Sequence, residues 1–129
     1  MQTLPNGLRV FNATPHPIIF WREDWSEPVS VPTDTKIDAV PQEQPVDCFV
    51  PYEGEDSENI WRVRTVFVAN KEGHEIVRQA KEAGAEVIVG SIIAAQAYPG
   101  KVCAMIPAPG YERVPPQEKR MRPDKFTIF

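Results

Sequence analysis

The distribution of proline is the feature that most restricts how this chain can fold. The sequence has 14 prolines in 129 residues, and none lies between Tyr52 and Tyr98. Proline lacks a backbone N–H and fixes φ, so it is excluded from central strands and helix interiors. We therefore expect the regular core in the middle of the chain, with extended, turn-rich segments around it.

The middle of the chain has the pattern of a strand–helix–strand unit. Asn70 can cap a helix through its side chain, and Gly84 is a natural helix stop. Short connections predict a βαβ unit over about 62–90, with its two strands parallel in one sheet and a right-handed crossover. The expected elements are a strand at 62–70, a helix at 70–85, a strand at 86–90, a short helix at 91–98 and a strand at 101–107. The predicted fold class is α/β of the α+β kind, with a small mixed sheet.

The rest of the chain reads as proline-rich extended segments around that unit. The length suits a single domain over 1–129. Within it we expect antiparallel edge strands and loops over 1–60, the βαβ-containing core over 61–107 and an extended tail over 108–129. The stretch "EGEDSEN" (53–59) predicts an acidic exposed loop. The last residues, "KFTIF", could dock as a final strand or pair with another subunit.

Composition and charge narrow the class of protein. The formal net charge is −4, so we do not expect binding to duplex nucleic acid, which is itself negatively charged. No apolar run approaches the roughly 20 residues of a membrane helix, and the N-terminus lacks a signal-peptide pattern. These features predict a cytoplasmic protein without membrane contact, or one in the host cytoplasm if it is viral. Cys48 and Cys103 predict reduced core residues, and no metal site or cofactor is expected.

The stretch "NATPH" (12–16) is the first candidate site. If the segment is extended, Asn12, Thr14 and His16 share one face. An amide, a hydroxyl and an imidazole in a row could bind a phosphate or a carbonyl, and His16 could act as an acid or base. Alternatively, Asn12 and Thr14 form a local turn and His16 hydrogen-bonds backbone groups freed by the prolines. The residues alone leave both interpretations open.

The chain resembles a family of small uncharacterised proteins of phages and bacteria. Those proteins carry an Asn-x-Thr-Pro-His motif near the N-terminus and a Val-Ser-x-x-Val-Ala-type strand-to-helix turn near the C-terminus. The matching residues are Asn12, Thr14, Pro15 and His16 for the first motif, and Val89, Ser91, Ile93 and Ala94 for the second. Gly90 departs from the family's serine, the helix at 71–83 is more developed, and the tail is longer. The resemblance implies a phage or mobile-element origin rather than a reaction.

The start of the second predicted helix is another candidate site. A strand running through Gly90 into a helix capped by Ser91 aims backbone N–H groups at the sheet edge, where anions bind. If the strands are parallel neighbours, Asn70 and Lys71 reach the same edge, and the four residues could converge on a phosphate. The alternative is ordinary helix capping. Neither a Rossmann nor a Walker phosphate-binding fingerprint is present.

The tail carries basic residues interleaved with aromatic ones, a pattern that can hold a nucleotide or single-stranded nucleic acid. The alternative is a solvated extension. Within the tail, Arg113 is the candidate for binding an anionic ligand. The basic residues are Arg113, Lys119, Arg120, Arg122 and Lys125, with Tyr111 and Phe126 nearby.

Together these patterns favour a protein that binds a small anionic or nucleotide-like ligand, which could sequester a host signal. One alternative is a metal-independent hydrolase or phosphodiesterase that acts on a small nucleotide with His16 as its acid/base. Another is a protein that inhibits a host protein through its extensions. A homodimer or higher homo-oligomer is an expected partner state, because long extended arms often complete a core with a second copy.

Overall fold

The computed structural model describes residues 1–51 and 58–129. The predicted acidic loop at 53–59 falls largely on residues 52–57, which lie outside the described ones. The described elements, in chain order, are β1 (Gln2–Thr3), β2 (Arg9–Asn12), β3 (Ile18–Phe20), β4 (Val29–Val31), β5 (Val40–Phe49), β6 (Ile60–Val68), α1 (Lys71–Glu82), β7 (Val87–Val89), α2 (Ile92–Ala97), β8 (Ala104–Pro107), a 3-10 turn (Pro116–Glu118) and β9 (Met121–Thr127).

The predicted fold class is confirmed: the protein is a mixed α+β structure that contains the strand–helix–strand order β6-α1-β7. The expectation that these two strands are parallel neighbours is wrong. β6 pairs antiparallel with β5, whereas β7 pairs parallel with β2. Periodicity identified each element correctly, but it carries no information on which distant strand supplies the partner.

The described strands form three sheets rather than one. Their orders are β1-β2-β7, β4-β3-β9-β8 and β5-β6. A single parallel bridge between Val89 and Cys103 links the first sheet to the segment that enters β8. Parallel pairing occurs in both larger sheets, between β2 and β7 and between β3 and β9.

The prediction that residues 1–60 supply edge strands is wrong for β2 and β3, which are interior strands of their sheets. Neither strand contains a proline, and Pro15 and Pro17 lie in the turn between them. Their backbone N–H groups are therefore available to both neighbours. The tail docks as a strand, β9, between β3 and β8, so this alternative for the C-terminal residues holds.

Two apolar clusters lie on opposite faces of the three-stranded sheet. Val10 and Val89 point into a cluster shared with Phe20 of the four-stranded sheet. Phe11 and Ile88, one position along each strand, point into a second cluster made largely by the two helices. The strict alternation along β2 and β7 places this sheet between the helices and the second sheet.

Both helices begin at the residues that the sequence predicts. The Asn70 side chain accepts a hydrogen bond from Gly73 N–H, and the Ser91 hydroxyl accepts one from Ala94 N–H. Gly84 follows α1 with φ +98°, a left-handed conformation that favours glycine. Neither helix of the described residues has the length and apolar content needed to cross a membrane.

β5 and β6 form a two-stranded arm whose residues are mostly exposed on both faces. We call these two strands the arm. The expectation that β6 belongs to a buried core is therefore wrong for most of its length, and only the segment from Val66 onward is partly covered. Cys48 lies in the arm and is exposed, contrary to the prediction of a core thiol.

Candidate functional site

The first two candidate sites lie at the same edge of the three-stranded sheet. Asn12 is the register partner of Val89, and Ala13 N–H donates to the Val89 carbonyl at 2.8 Å. Because β2 and β7 run parallel, the "NATPH" segment and the Gly90–Ser91 turn both leave from their carboxyl ends. The sequence could not establish this proximity, because it depends on a strand pairing across more than 70 residues.

Asn12 and Thr14 are buried, with 0% and 2% of their surfaces exposed. The side-chain oxygen Oδ1 of Asn12 accepts a hydrogen bond from the Thr14 N–H at 2.9 Å and lies 2.6 Å from the Thr14 hydroxyl. The Asn12 amide donates to the Val31 carbonyl at 3.0 Å and to the His16 carbonyl at 3.1 Å. Every polar atom of the Asn12 side chain is thus used within the protein, and none is left to bind a ligand.

The same network holds the main chain of His16. The His16 carbonyl oxygen lies 2.8 Å from the Thr14 hydroxyl and also accepts from the Asn12 amide. The flanking Pro15 and Pro17 restrict the backbone on either side. Asn12 and Thr14 therefore build a rigid turn, and the predicted row of three ligand-facing side chains is reduced to His16 alone.

Asp34 fastens this turn to the next part of the chain. The main-chain N–H of Asn12 donates to the Asp34 carboxylate at 2.8 Å. The main-chain N–H of Asp34 donates to the main-chain carbonyl of Asn12 at 2.9 Å. The N-terminal ammonium of Met1 also pairs with this carboxylate. The sequence analysis missed Asp34, since an acidic residue in "PTDT" has the ordinary pattern of a surface turn.

His16 is exposed and lies at a cleft of about 290 Å³. We call this the His16 cleft. Its ring Nδ1 is 3.2 Å from the Pro17 carbonyl, so a proton on Nδ1 donates there and leaves Nε2 free. The cleft is lined by His16, Pro17, Ile18, Ile19, Met105, Pro116, Gln117, Lys119 and Met121.

The polar residues of the cleft come from two distant parts of the chain. His16 follows β2, whereas Gln117 and Lys119 belong to the 3-10 turn region that precedes β9. The pairing of β9 with β3 brings them together, since Phe20 is the register partner of Met121. The described residues that line the cleft include no carboxylate, and Glu118, which precedes Lys119, lines the adjoining cleft instead.

Lys119 takes the place that the sequence analysis assigned to Arg113. Arg113 is exposed and is not part of the cleft lining. Both residues lie in the same basic tail, and sequence spacing alone does not distinguish them. The signal that separates them is position relative to a strand: Lys119 lies two residues before β9, whose pairing with β3 is fixed.

Two other basic side chains of the tail, those of Arg120 and Arg122, have contacts outside the cleft. The Arg120 guanidinium lies over the rings of Trp21 and Tyr111, at 5.3 and 5.0 Å from their centroids. Arg122 forms two hydrogen bonds with Asp124, at 3.0 and 2.9 Å. This hydrogen-bonded pairing lowers the pKa of the Asp124 carboxyl below its usual value.

Gly90 and Ser91 are used for packing and capping. Gly90 is buried, and a Cβ at this position would lie 2.7 Å from a methyl carbon of Val102. The Ser91 hydroxyl is engaged with Ala94 N–H, and α2 has only six residues. Glycine at position 90 is therefore explained by the close approach of Val102.

Asn70 and Lys71 do not converge with Ser91. The Asn70 N–H donates to the Tyr98 hydroxyl at 3.1 Å, which places Asn70 beside the C-terminal end of α2. Ser91 lies at the opposite end of that helix. The expected four-residue phosphate site depended on β6 lying next to β7, and the pairing of β6 with β5 removes that basis.

Tyr98 and Gly73 form a contact that the sequence analysis missed. Tyr98 is the largest fully buried side chain, and its ring meets His74 edge-on at 5.1 Å between centroids. A Cβ on Gly73 would fall 1.7 Å from the Tyr98 hydroxyl oxygen. The glycine inside α1 is the signal, because a helix interior otherwise disfavours glycine.

Comparison with protein-family models, curated proteins and solved structures gives no match. The resemblance to the phage and bacterial family therefore stays a prediction that rests on the motif residues. In the described part of the chain, no three His, Cys, Asp or Glu side chains are grouped to hold a metal ion. The His16 cleft is therefore the feature of the described residues that bears on function.

Proposed function

We propose that the protein binds a small organic anion in the His16 cleft. The observation that carries this proposal is the meeting of His16 and Lys119 at one largely apolar cleft without a carboxylate in its lining. A cationic side chain in a cleft whose described lining has no carboxylate is available to an anionic group of a ligand. Concave, mostly apolar sites with a few polar groups are typical of small-molecule binding.

The lining favours one class of anion over another. Ile18, Met105 and Met121 offer apolar surface for the body of a ligand, and methionine adapts to irregular shapes. No Phe, Tyr or Trp is among the described lining residues, so a nucleotide base would lack a stacking partner there. A compact carboxylate or phosphate ester with an apolar body fits better than a nucleotide-like ligand. Sequestration of a host signal by a phage protein is the biological setting that the motif resemblance suggests.

Binding without turnover is better supported than hydrolysis. His16 is the one lining residue suited to move protons near neutral pH, and the described lining offers no carboxylate or second imidazole to assist it. Metal-free phosphoryl transfer relies on several positioned groups. The arrangement of Asn12 and Thr14 supports a positioning role, since both side chains hold the His16 main chain.

Methionine methyl NMR tests this proposal with an internal control. The three methionines are Met1, Met105 and Met121, and two of them line the cleft. We expect added phosphate, benzoate or AMP to shift the Met105 and Met121 methyl resonances selectively, with benzoate the most effective. Native mass spectrometry of freshly purified protein would identify any ligand that is already bound.

Variants separate the cleft from general charge effects. Lys119→Gln and His16→Ala should each weaken binding of the active probe, whereas His74→Ala, a change at the other histidine of the chain, should leave it unchanged. An apo mass together with unshifted methyl resonances for all three probes would contradict the proposal. Conversion of a probe to a product that requires His16 would favour the hydrolase alternative.

A further inference from the structure

The arm has a largely apolar face, interrupted by the Glu43–Thr65 pair, that the other described residues leave mostly exposed. Its cross-strand pairs include Pro41–Phe67, Pro45–Val63 and Cys48–Trp61. Trp61 is 60% exposed, and Val63 and Cys48 are exposed as well. A two-stranded ribbon is marginally stable by itself in water, and an exposed apolar sheet face marks an interaction site.

The two outer edges of the arm differ. β5 contains Pro41 and Pro45 and has an irregular register between Pro45 and Asp47. Proline without an N–H and a bulge are both devices that block strand addition at an edge. β6 has nine residues with neither proline nor glycine, so its outer edge offers an uninterrupted row of backbone groups.

We propose that two copies of this chain pair through β6, antiparallel and about a twofold axis. The product is a four-stranded sheet, β5-β6 of one copy continued by β6-β5 of the other. The proline-bearing β5 strands then form both outer edges, so assembly stops at two copies. This self-limiting property favours a second copy over an unrelated extended peptide as the occupant.

The same pairing brings Trp61 of each copy to the base of the partner's arm. Phe67 and Ala69, on the apolar face at the base of the arm, pack against the cluster that contains Ala94 and Ala95 of α2. That face is therefore turned toward α2. In an antiparallel pair the tip of each arm lies beside the base of the other, which directs Trp61 toward the α2 of its partner copy.

α2 also carries exposed apolar side chains, at the helix end opposite to the one beside Asn70. Ile92 and Ile93 are 61% and 41% exposed at its start. Pairing centred on Thr65 joins Arg62–Val68 of the two copies, about 23 Å of edge, and a tryptophan seated on each partner brings the contact toward the 800 Å² per copy of a standard specific interface.

Charge selects the register of the pair. With the axis at Val63 or at Arg64, arginine side chains of the two copies lie directly opposite one another, and like charges in that position are unfavourable. With the axis at Thr65, Arg64 faces Val66 of the other copy and Arg62 faces Val68. Arg62 is in addition neutralised within its own arm by Asp47. Of these three registers, the one centred on Thr65 is therefore favoured.

Sedimentation equilibrium tests the association. We expect wild-type protein to be a reversible dimer. Thr65→Arg, which opposes two new charges at the axis, should raise the dimer Kd by more than about tenfold. The matched control is Gln42→Arg, which adds the same charge to the blocked strand of the same arm and should leave the Kd within about twofold of wild type. A monomer at all concentrations, a larger oligomer, or equal effects of both variants would overturn the proposal.

Disulfide trapping tests the register. In a Cys48→Ser background, Thr65→Cys places two thiols across the axis, at the spacing of directly opposed residues. We expect mild oxidation to give a covalent dimer. Glu43→Cys provides the control, because Glu43 is the register partner of Thr65 on the outer strand and should not cross-link. Equal cross-linking at both positions, or none at position 65, would contradict the β6 pairing.

Discussion

The "NATPH" turn and the arm reverse the usual distribution of side chains in opposite ways. The turn buries polar groups, with Asn12 and Thr14 nearly inaccessible to solvent, whereas the arm exposes apolar ones, with Trp61 at its tip. All polar atoms of Asn12 have partners within one chain. By contrast, the described residues leave the apolar face of the arm exposed over most of its length. The turn is therefore complete in a single copy, and the arm is the part that a second copy would complete.

Removal of the Asn12 side chain should have the largest effect on the stability of a single copy. Asn12→Ala removes the side-chain partners of the Val31 carbonyl and the Thr14 N–H, and it leaves the His16 carbonyl with the Thr14 hydroxyl alone. Buried polar groups without hydrogen bonds cost about 1–3 kcal/mol each, so we expect a loss of about 3 kcal/mol in the free energy of unfolding. Urea denaturation measures it. Asn59→Ala, at an exposed position, should change stability by less than about 0.5 kcal/mol.

Substitution of Trp61 should act on association and not on the fold. Trp61→Ser removes an exposed ring, so the unfolding free energy of dilute protein should change by less than about 0.5 kcal/mol. The dimer Kd should rise by about tenfold or more, since buried tryptophans dominate interfaces. Sedimentation equilibrium and urea denaturation of the same sample compare the two effects. A large loss of stability in the monomer would mean that Trp61 belongs to the core of one chain.

An exposed ion pair provides the smallest effect and a useful contrast to Asn12. Asp124 accepts two hydrogen bonds from Arg122, yet both side chains remain partly exposed. The pairing lowers the pKa of Asp124, so its contribution to stability is present above about pH 4 and is lost as pH falls through the lowered pKa. Asp124→Asn should cost about 0.5 kcal/mol or less near pH 7, because solvent screens such pairs.

Thermal unfolding across pH 2–7 measures this dependence. The difference between wild type and Asp124→Asn should shrink toward acid pH. A difference that grows as the pH falls would contradict the assigned sign, and a cost near that of Asn12→Ala would show that burial is not what separates the two regions.

Local sequence patterns predicted the helices and their caps well. A capping bond spans three residues, as from Asn70 to Gly73 and from Ser91 to Ala94, so the information for it is contained in the segment itself. The pairing partners of β6 and β7 could not be predicted in this way. They lie on β5 and β2, and period and composition do not specify which distant strand pairs with a given segment.

The candidate site was predicted in part for the same reason. His16 could be selected because an imidazole that alternates with Asn12 and Thr14 can act as an acid or a base. Lys119 could not be preferred over Arg113, because the choice depends on where β9 enters its sheet. The roles of Asn12 and Thr14 also required the structure, since only their burial and hydrogen bonds show that both side chains hold the main chain of the turn.

The sequence by itself determined the element types of the central unit and the helix boundaries, since these depend on backbone restrictions and contacts within a few residues. Tertiary structure alone decided the sheet orders, the meeting of His16 with Lys119 and the exposure of the arm. Each of these depends on contacts between segments far apart in the chain. Such contacts form where buried surface and complete hydrogen bonding are best satisfied for the whole molecule, a balance that no single segment contains.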